Sequence, residues 1–455
     1  MSNSKVSITG KQLLIVFFMG LAFAVVYATP FVQYVFYDDL AGALHATNTQ
    51  LGFLIAIFGI GNLLAPFGGA LSDKFNTKKV YLLGMFITCA LNFLLAMNMS
   101  YTFAIFIWAG LAVAGLILYF PAHTKLVRLV GDEESQGTIF GFTESACGLA
   151  SVIINFIALG LYAKVAVGAM GGVAGLKAVI ISYGAVGLIA TIALVFLLPD
   201  PEKEGKGQDG GDSGQETKLS MKEWAGVFKD PRTWFAGIAV FATYSTYQTL
   251  SYFTPYFTNV LGATVVGSGA IAIIRTYGIR IVGAPLGGYM GDRIHSVSSV
   301  IATVLACGAV ITLIFMFMPA GVPSVLLTVM TLVIGFMVHI ARGAMFAVPS
   351  EVKIPRRYAA STAGVVCAIG FCPDLFQAAM YGHWLDTCGN AGYTRIFIYI
   401  IAIMVVGVIN GVATVVYKKK YVATGLVPVE GGIRSVIKPG NITYNDTLAV
   451  FPYGN

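Results

Sequence analysis

The sequence is short of charge. Of its 455 residues only 11% are Asp, Glu, Lys or Arg, against about 25% in soluble proteins. That shortage excludes an ordinary water-soluble domain. Metal-ligand patterns are also missing. The five His and six Cys form no C-x-x-C and no zinc-type spacing. The cysteines at 89, 147, 307, 367, 372 and 388 lie in or beside apolar runs, where they read as small packing groups. There is no G-x-x-x-x-G-K-[ST] phosphate loop, so ATP is not the expected energy source. No nucleophile–base pair is visible either, and neither an enzyme nor a cofactor is expected. The first apolar run, 12–37, is too long for a signal-peptide core and lacks a small-residue cleavage site. It reads as a membrane span.

What the chain has in abundance is apolar length. It is 57% hydrophobic, and runs of about twenty residues follow one another, enough to cross ~30 Å of hydrocarbon. In lipid such runs must be helices, because every backbone group needs an internal partner. The expected fold is therefore an all-α membrane protein. Spans are expected near 12–37, 50–71, 80–98, 102–122, 138–163 and 177–198, then near 233–257, 267–289, 298–318, 323–348, 360–384 and 395–417. With both termini placed in the cytoplasm, 22 of the 28 Lys and Arg fall on the inner side and only Lys164 and Lys177 on the outer. The bias is strongly positive-inside. It explains the net charge of +7 by topology, without nucleic acid.

A repeat divides the chain. Residues 65–74 read A-P-F-G-G-A-L-S-D-K and residues 284–293 read A-P-L-G-G-Y-M-G-D-R, with Asp73 and Asp292 219 residues apart. The expected units are a six-helix bundle over 1–198, a linker over 199–232, a second bundle over 233–417 and a tail over 418–455. The linker is rich in Gly, Asp, Glu and Lys, a composition that buries too little to order itself. After it, Met221, Trp224, Val227 and Phe228 take one face of a short interfacial helix, stopped by Pro231. The tail is expected to be loosely ordered and cytoplasmic. Asn441-Ile442-Thr443 fits a glycosylation pattern, but on that side it would never meet the enzyme.

Two six-helix halves, a long central loop and the G-x-L-S-D-K-F-N-T-K-K loop between spans two and three resemble the major facilitator superfamily (MFS). Gly69, Leu71, Asp73, Lys74, Lys78 and Lys79 fit its signature loop, and Gly288, Gly291, Asp292 and Arg293 the second copy. The stretch from Glu133 to Glu144, R-T-Y-G from Arg275, and G-F-C-P-D ending at Asp374 are similar to the organophosphate and organic-anion branch. The Arg in spans one and seven by which organophosphate antiporters hold phosphate is absent here. The resemblance implies two pseudo-symmetric bundles that expose a central site alternately to either side. Asp73 and Asp292 would belong to charged patches that hold the halves together on the cytoplasmic side.

An ionisable side chain inside a span costs ~2.5–3.5 kcal/mol on insertion scales, so each needs a partner or a purpose. Arg280, in the middle of span eight, is the first choice for an anionic substrate group, because guanidinium stays charged and offers a fork. A structural pair with a carboxylate is the alternative. Arg275, a second substrate-binding candidate, lies five residues earlier, about 140° away at ~100° per residue, so the two should not share a face, and Arg275 either serves the outer vestibule or snorkels outward. Glu144 in span five is a candidate inner gate or protonation site opposite Arg280, or else a partner of Arg128 or Lys125. His339, a further substrate-binding candidate, and Arg342 share a face of span ten. Arg342 is expected to pair with Asp374 of span eleven, which is also a candidate for proton coupling. Gln33 and Tyr34 of span one and Tyr244, Tyr247 and Gln248 of span seven suit a small polar ligand, or are aromatic packing. Asn62 in span two is a weaker candidate that the resemblance turns toward span eleven. Asp38, Asp39, His383 and Asp386 are expected to be solvated loop charges.

The expected function is secondary transport of a small anionic organic solute by alternating access, with H⁺ as the coupling ion or as facilitated exchange. A membrane receptor on the same fold and a carrier of a neutral polar solute are the alternatives. The expected setting is a bacterial inner membrane and the expected working unit a monomer.

Overall fold

A computed structural model describes residues 10–130, 136–168, 171–198, 226–319, 322–354, 359–422, 426–429 and 432–435. The protein is a helical bundle. The first half comprises α1 (Gly10–Ala28), α2 (Tyr37–Leu44), α3 (Asn48–Lys74), α4 (Thr77–Met97), α5 (Tyr101–Ala112), α6 (Phe120–Val130), α7 (Gln136–Val165) and α8 (Gly171–Leu197). The second comprises α9 (Pro231–Thr249), α10 (Phe253–Asn259), α11 (Val265–Ile273), α12 (Arg280–Ile294), α13 (Val297–Met316), α14 (Ser324–Ala344), α15 (Val348–Glu351), α16 (Ala359–Gly370), α17 (Pro373–Cys388) and α18 (Ala391–Tyr417). Short polar residues start these helices where the sequence turns. Thr47 and Gln50 form a reciprocal capping box on α3, and Asn76, Asp230, Thr264 and Ser296 cap α4, α9, α11 and α13. Each satisfies an amide that the first turn leaves without a partner.

Among the described residues ten helical stretches are long and apolar enough to cross a membrane, and α2 with the first part of α3 makes an eleventh, bent by 99°. The expected number was twelve. The stretch that falls short is span seven, 231–259, because Thr, Ser, Tyr and Gln crowd its second half (T-Y-S-T-Y-Q-T-L-S-Y). Its polar side chains are buried by the protein, so it has no need of an apolar surface.

Several spans are interrupted. The first was expected over 12–37, but its helix ends at Ala28, ahead of Pro30, and a 3₁₀ turn at Val32–Tyr34 follows. Proline cannot supply the amide that would continue the ladder. Span seven breaks in the matching place, with a 3₁₀ turn at Leu250–Tyr252. Spans four and eight each carry one π-helical stretch, Val113–Tyr119 and Ile274–Gly278.

The halves meet most closely where α3 crosses α17. A Cβ added at Gly52 would lie 2.4 Å from the Ala378 carbonyl, and one at Gly382 would lie 2.2 Å from the Asn48 carbonyl. Only glycine permits that approach.

Two stretches fall partly outside the described residues. Of the expected interfacial helix, 226–229 is helical with Val227 buried, and 221–225 lie outside. The tail has more order than expected. The last helix passes into a π-helical stretch, Lys418–Val422, and Leu426–Val429 pairs with Gly432–Ser435 in a two-stranded antiparallel ladder.

Candidate functional site

The interruptions bring polar side chains to the middle of the bundle. Gln33 and Tyr34 stand on the 3₁₀ turn of span one and are buried. Opposite them the last turns of α9 present Tyr244, Tyr247 and Gln248. A small cavity of about 10 Å³, room for roughly one water, is lined by Gln33, Tyr34, Gln248, Ser251, Gln377 and Tyr381 among others. Gln377 is held from α9, donating to the Ser245 carbonyl at 2.8 Å and to Thr249 Oγ1 at 3.2 Å.

Asp374 opens α17 and is 2% exposed. Asn62 of α3 donates to its carboxylate at 2.9 Å, Tyr244 donates at 3.0 Å, and the Gln248 amide donates as well. Gly59 of α3 makes room for it, since a Cβ there would meet the Asp374 Cβ at 2.4 Å. One buried carboxylate thus binds donors from both halves. The expected Arg342–Asp374 ion pair does not form: neutral donors fill the carboxylate, and the guanidinium lies elsewhere. Arg342 Cζ lies 3.9 Å over the Tyr247 ring, and its Nη1 is buried with no hydrogen-bond partner. The ring face offers a cation partial compensation worth ~0.5–2 kcal/mol and leaves its N–H groups available.

His339, one turn before Arg342, is fully buried with its ring 5.7 Å from that of Tyr247. Its Nε2 lies 3.2 Å from the Arg275 carbonyl. A carbonyl only accepts, so Nε2 carries the proton and Nδ1 is an acceptor. That Nδ1 has no partner, and neither has Gln248 Oε1. Unpaired buried groups that converge in this way are what a polar ligand would satisfy.

The two arginines of span eight are related differently from the α-helical expectation. A wide turn, closed by Ile279 N donating to the Ile274 carbonyl at 2.9 Å, falls between them. It absorbs one extra residue, so their offset falls from about 140° to about 40°. Arg280 is half-buried, close enough to His339 to act on it electrostatically, and engaged by a neighbour. Arg275 is wholly buried, donates from Nη2 to Thr254 Oγ1 at 3.0 Å and lies 5.4 Å over Phe253.

Of the remaining candidates, the side chains of Asp73 and Glu144 lie outside the described residues, so neither the signature patch nor a Glu144–Arg280 gate is described. Asp292 is exposed at the end of α12, and its carboxylate makes no described hydrogen bond. The carboxylate that organises that region is Glu351, which sequence reasoning missed. It accepts from Ser296 Oγ at 2.8 Å and from Ser298 N and Oγ at 2.8 and 2.6 Å, and it pairs with Lys418 at 3.1 Å. These contacts join parts of the second half only.

Three of the acids expected to be solvated are instead bonded. Asp386 accepts four hydrogen bonds from the first turn of α3, from Asn48 N and Nδ2 and from Thr49 N and Oγ1, at 2.5 to 2.9 Å. Asp38 accepts from Thr258 Oγ1 at 2.5 Å and from Asn259 Nδ2 at 3.1 Å. Asp39 accepts from Tyr162 at 2.7 Å. The first two clasps bind one half to the other at the end of the bundle that carries residues 38–49. His383 there is exposed.

Comparison with known proteins agrees with this architecture. The profile of the Major Facilitator Superfamily matches residues 13–373, and the chain belongs to that family. It is thus a multi-pass membrane protein with a transporter fold, not an enzyme. The Escherichia coli K12 inner membrane protein YihN is 27% identical over 397 residues, covering 86% of this chain and 92% of that protein. The inner membrane protein YqcE of the same organism is 24% identical, covering 81% and 85%. A bacterial homologue of the human lysosomal transporter Spinster, solved inward-facing and unoccupied, superposes with a TM-score of 0.72 at 14% identity, covering 93% of this chain and all of that one. The nucleoside transporter NupG superposes with a TM-score of 0.64 at 15% identity, covering 89% and 98%.

Proposed function

We propose that the protein is a secondary transporter of a small organic anion, working by alternating access between bundles 1–198 and 233–417. The observation that carries the reading is Arg342: a guanidinium on the ring of Tyr247, with Nη1 buried and unpaired, beside the unpaired acceptors of His339 and Gln248. The anionic group sits on Arg342, with Arg280 adding positive potential. Gln33, Tyr34, Gln248 and His339 read the polar remainder. Asp374 is the coupling carboxylate. It bonds both halves, so adding a proton changes how many donors it can hold and loosens the Asn62 bridge. The solute then moves with H⁺.

The clasped end is the outer end on the positive-inside reading, with both termini cytoplasmic. The setting is the inner membrane, as for the two E. coli relatives, and the working unit is a monomer. The organic-anion branch of the family is the nearest in character. A neutral polar solute is the second reading. It is favoured by the cavity between Gln33, Gln248 and Gln377, whose lining contains no cation.

The test is a thermal-shift panel on purified protein with small carboxylates, sulfonates, phosphates and neutral sugars. A ligand at ~100 Kd adds about 2.7 kcal/mol. Anions that stabilise wild type but not Arg342→Gln support the reading. Stabilisation by neutral sugars, unchanged in Arg342→Gln, moves the assignment to the neutral carrier.

A further inference from the structure

Arg275 is a cation with no counter-charge among the described residues. It is 0% exposed, the only described hydrogen bond of its side chain is from Nη2 to the Thr254 hydroxyl, and no described carboxylate lies within ion-pair distance. Nε and Nη1 are buried and unpaired, and so is the hydroxyl of the next residue, Thr276. A guanidinium carries five N–H donors, and buried charges are ordinarily paired. The ring of Phe253 at 5.4 Å compensates only in part. Two donor atoms of one buried guanidinium are therefore left unpaired.

This group is separate from the arginine of the central site. Arg342 lies over Tyr247, whereas the guanidinium of Arg275 is turned to Thr254 and Phe253 on α10. His339 touches Arg275 only through the main-chain carbonyl. The partner of Arg275 also has a second contact. The Thr254 hydroxyl accepts from Arg275 and donates to the Tyr34 carbonyl of the first half at 2.9 Å. The chain Arg275–Thr254–Tyr34 thus joins the unpaired cation to the contact between the halves.

We propose that the Arg275 guanidinium, through its unpaired Nε and Nη1, forms a second anion site that takes a small monovalent anion of halide or formate size. Occupancy fixes the guanidinium against Thr254, and so strengthens the contact with Tyr34 and the state in which the 38–49 end is closed. The site does not depend on the identity of the solute or on Arg342.

The test uses the full-length purified protein at constant ionic strength, with chloride or formate replacing the bulky buffer anion 2-(N-morpholino)ethanesulfonate. The expected result is a saturable rise in Tm in wild type that is absent in Arg275→Gln and retained in Arg342→Gln. A response to chloride alone assigns the site to an inorganic anion, and a response to formate alone assigns it to a carboxylate group; either supports the site. Wild-type crystals soaked in bromide give a second readout that does not depend on the folding of Arg275→Gln, an anomalous peak within hydrogen-bond distance of Arg275. No saturable rise and no peak, or a rise that persists in Arg275→Gln, overturns the proposal. A chloride response without any solute response leaves this site standing while the Arg342 reading fails, and the converse also holds.

Discussion

At the scale of residues, the account turns on charges that the helices hide and on what each is bonded to. Arg342 is the sharpest case. On one face of span ten with His339, its position was legible from spacing alone. Its partner was not, because Asp374 finds three neutral donors in three dimensions and leaves the cation on an aromatic ring. Arg342→Lys should weaken anion binding as well as Arg342→Gln does, though less. An ammonium keeps the charge but loses the planar fork, and titration calorimetry on the ligand found by the panel would measure the order. Asp374→Asn tests the carboxylate. An amide presents its own donors to Asn62, Tyr244 and Gln248, so at least one buried donor loses its acceptor, at about 1–3 kcal/mol. A fall in Tm is expected, together with loss of uptake driven by a pH gradient while solute exchange persists. Uptake still driven by the gradient in Asp374→Asn would remove this residue from coupling.

At the scale of elements, the decisive features are breaks and close crossings. The membrane spans were legible because apolar length has no other use in a chain so short of charge. The break after Ala28 could have been foreseen from Pro30. The π turn at Ile274–Gly278 could not, because no residue type marks it, and it changes which faces Arg275 and Arg280 share. The acids at the 38–49 end looked like loop charges because their partners lie far off in the chain, Asp386 bonding Asn48 and Thr49. Asp386→Ala removes an anion from the first turn of α3, where amides and the helix dipole favour one. The cost is about 1 kcal/mol at such an exposed site. It should shift the protein toward opening at that end, read as faster alkylation of a reporter cysteine at Thr258 in a background without the six native cysteines. Gly382→Ala acts through shape instead. Its Cβ would lie 2.2 Å from the Asn48 carbonyl, so α3 and α17 must separate, and the same labelling should accelerate. Unchanged labelling in both variants would mean that these contacts do not hold that end closed.

At the scale of the whole molecule, the internal repeat and the matching 3₁₀ breaks of spans one and seven fit the transporter fold of the family, with polar side chains gathered at the centre. The described contacts between the halves include those along α3 and α17, those of α7 against span eight, where Gly148 faces Ile281 and Gly269 faces Leu159, those at the 38–49 end and those through Arg275, Thr254 and Tyr34. Cytoplasmic contacts built on Asp73 and Glu144 are outside the described side chains, so the resemblance alone speaks for them. Lipid faces the exposed Leu, Ile, Val and Phe of the outer helix surfaces, as a multi-pass protein requires. A cross-link between Asp38→Cys and Thr258→Cys in the same cysteine-free background should hold the clasped end shut and stop transport until it is reduced. Transport that continues through the cross-linked protein would rule out alternating access at that end.

The central claim is that an anion is carried on Arg342 between the two bundles. Its most direct test is counterflow in proteoliposomes, with the inside loaded with the anion that stabilises wild type and a labelled trace of it outside. The account predicts transient accumulation of label by wild type and at least a tenfold lower initial rate for Arg342→Gln, since about 1.4 kcal/mol of lost binding is a factor of ten. Equal rates for the two proteins would contradict it.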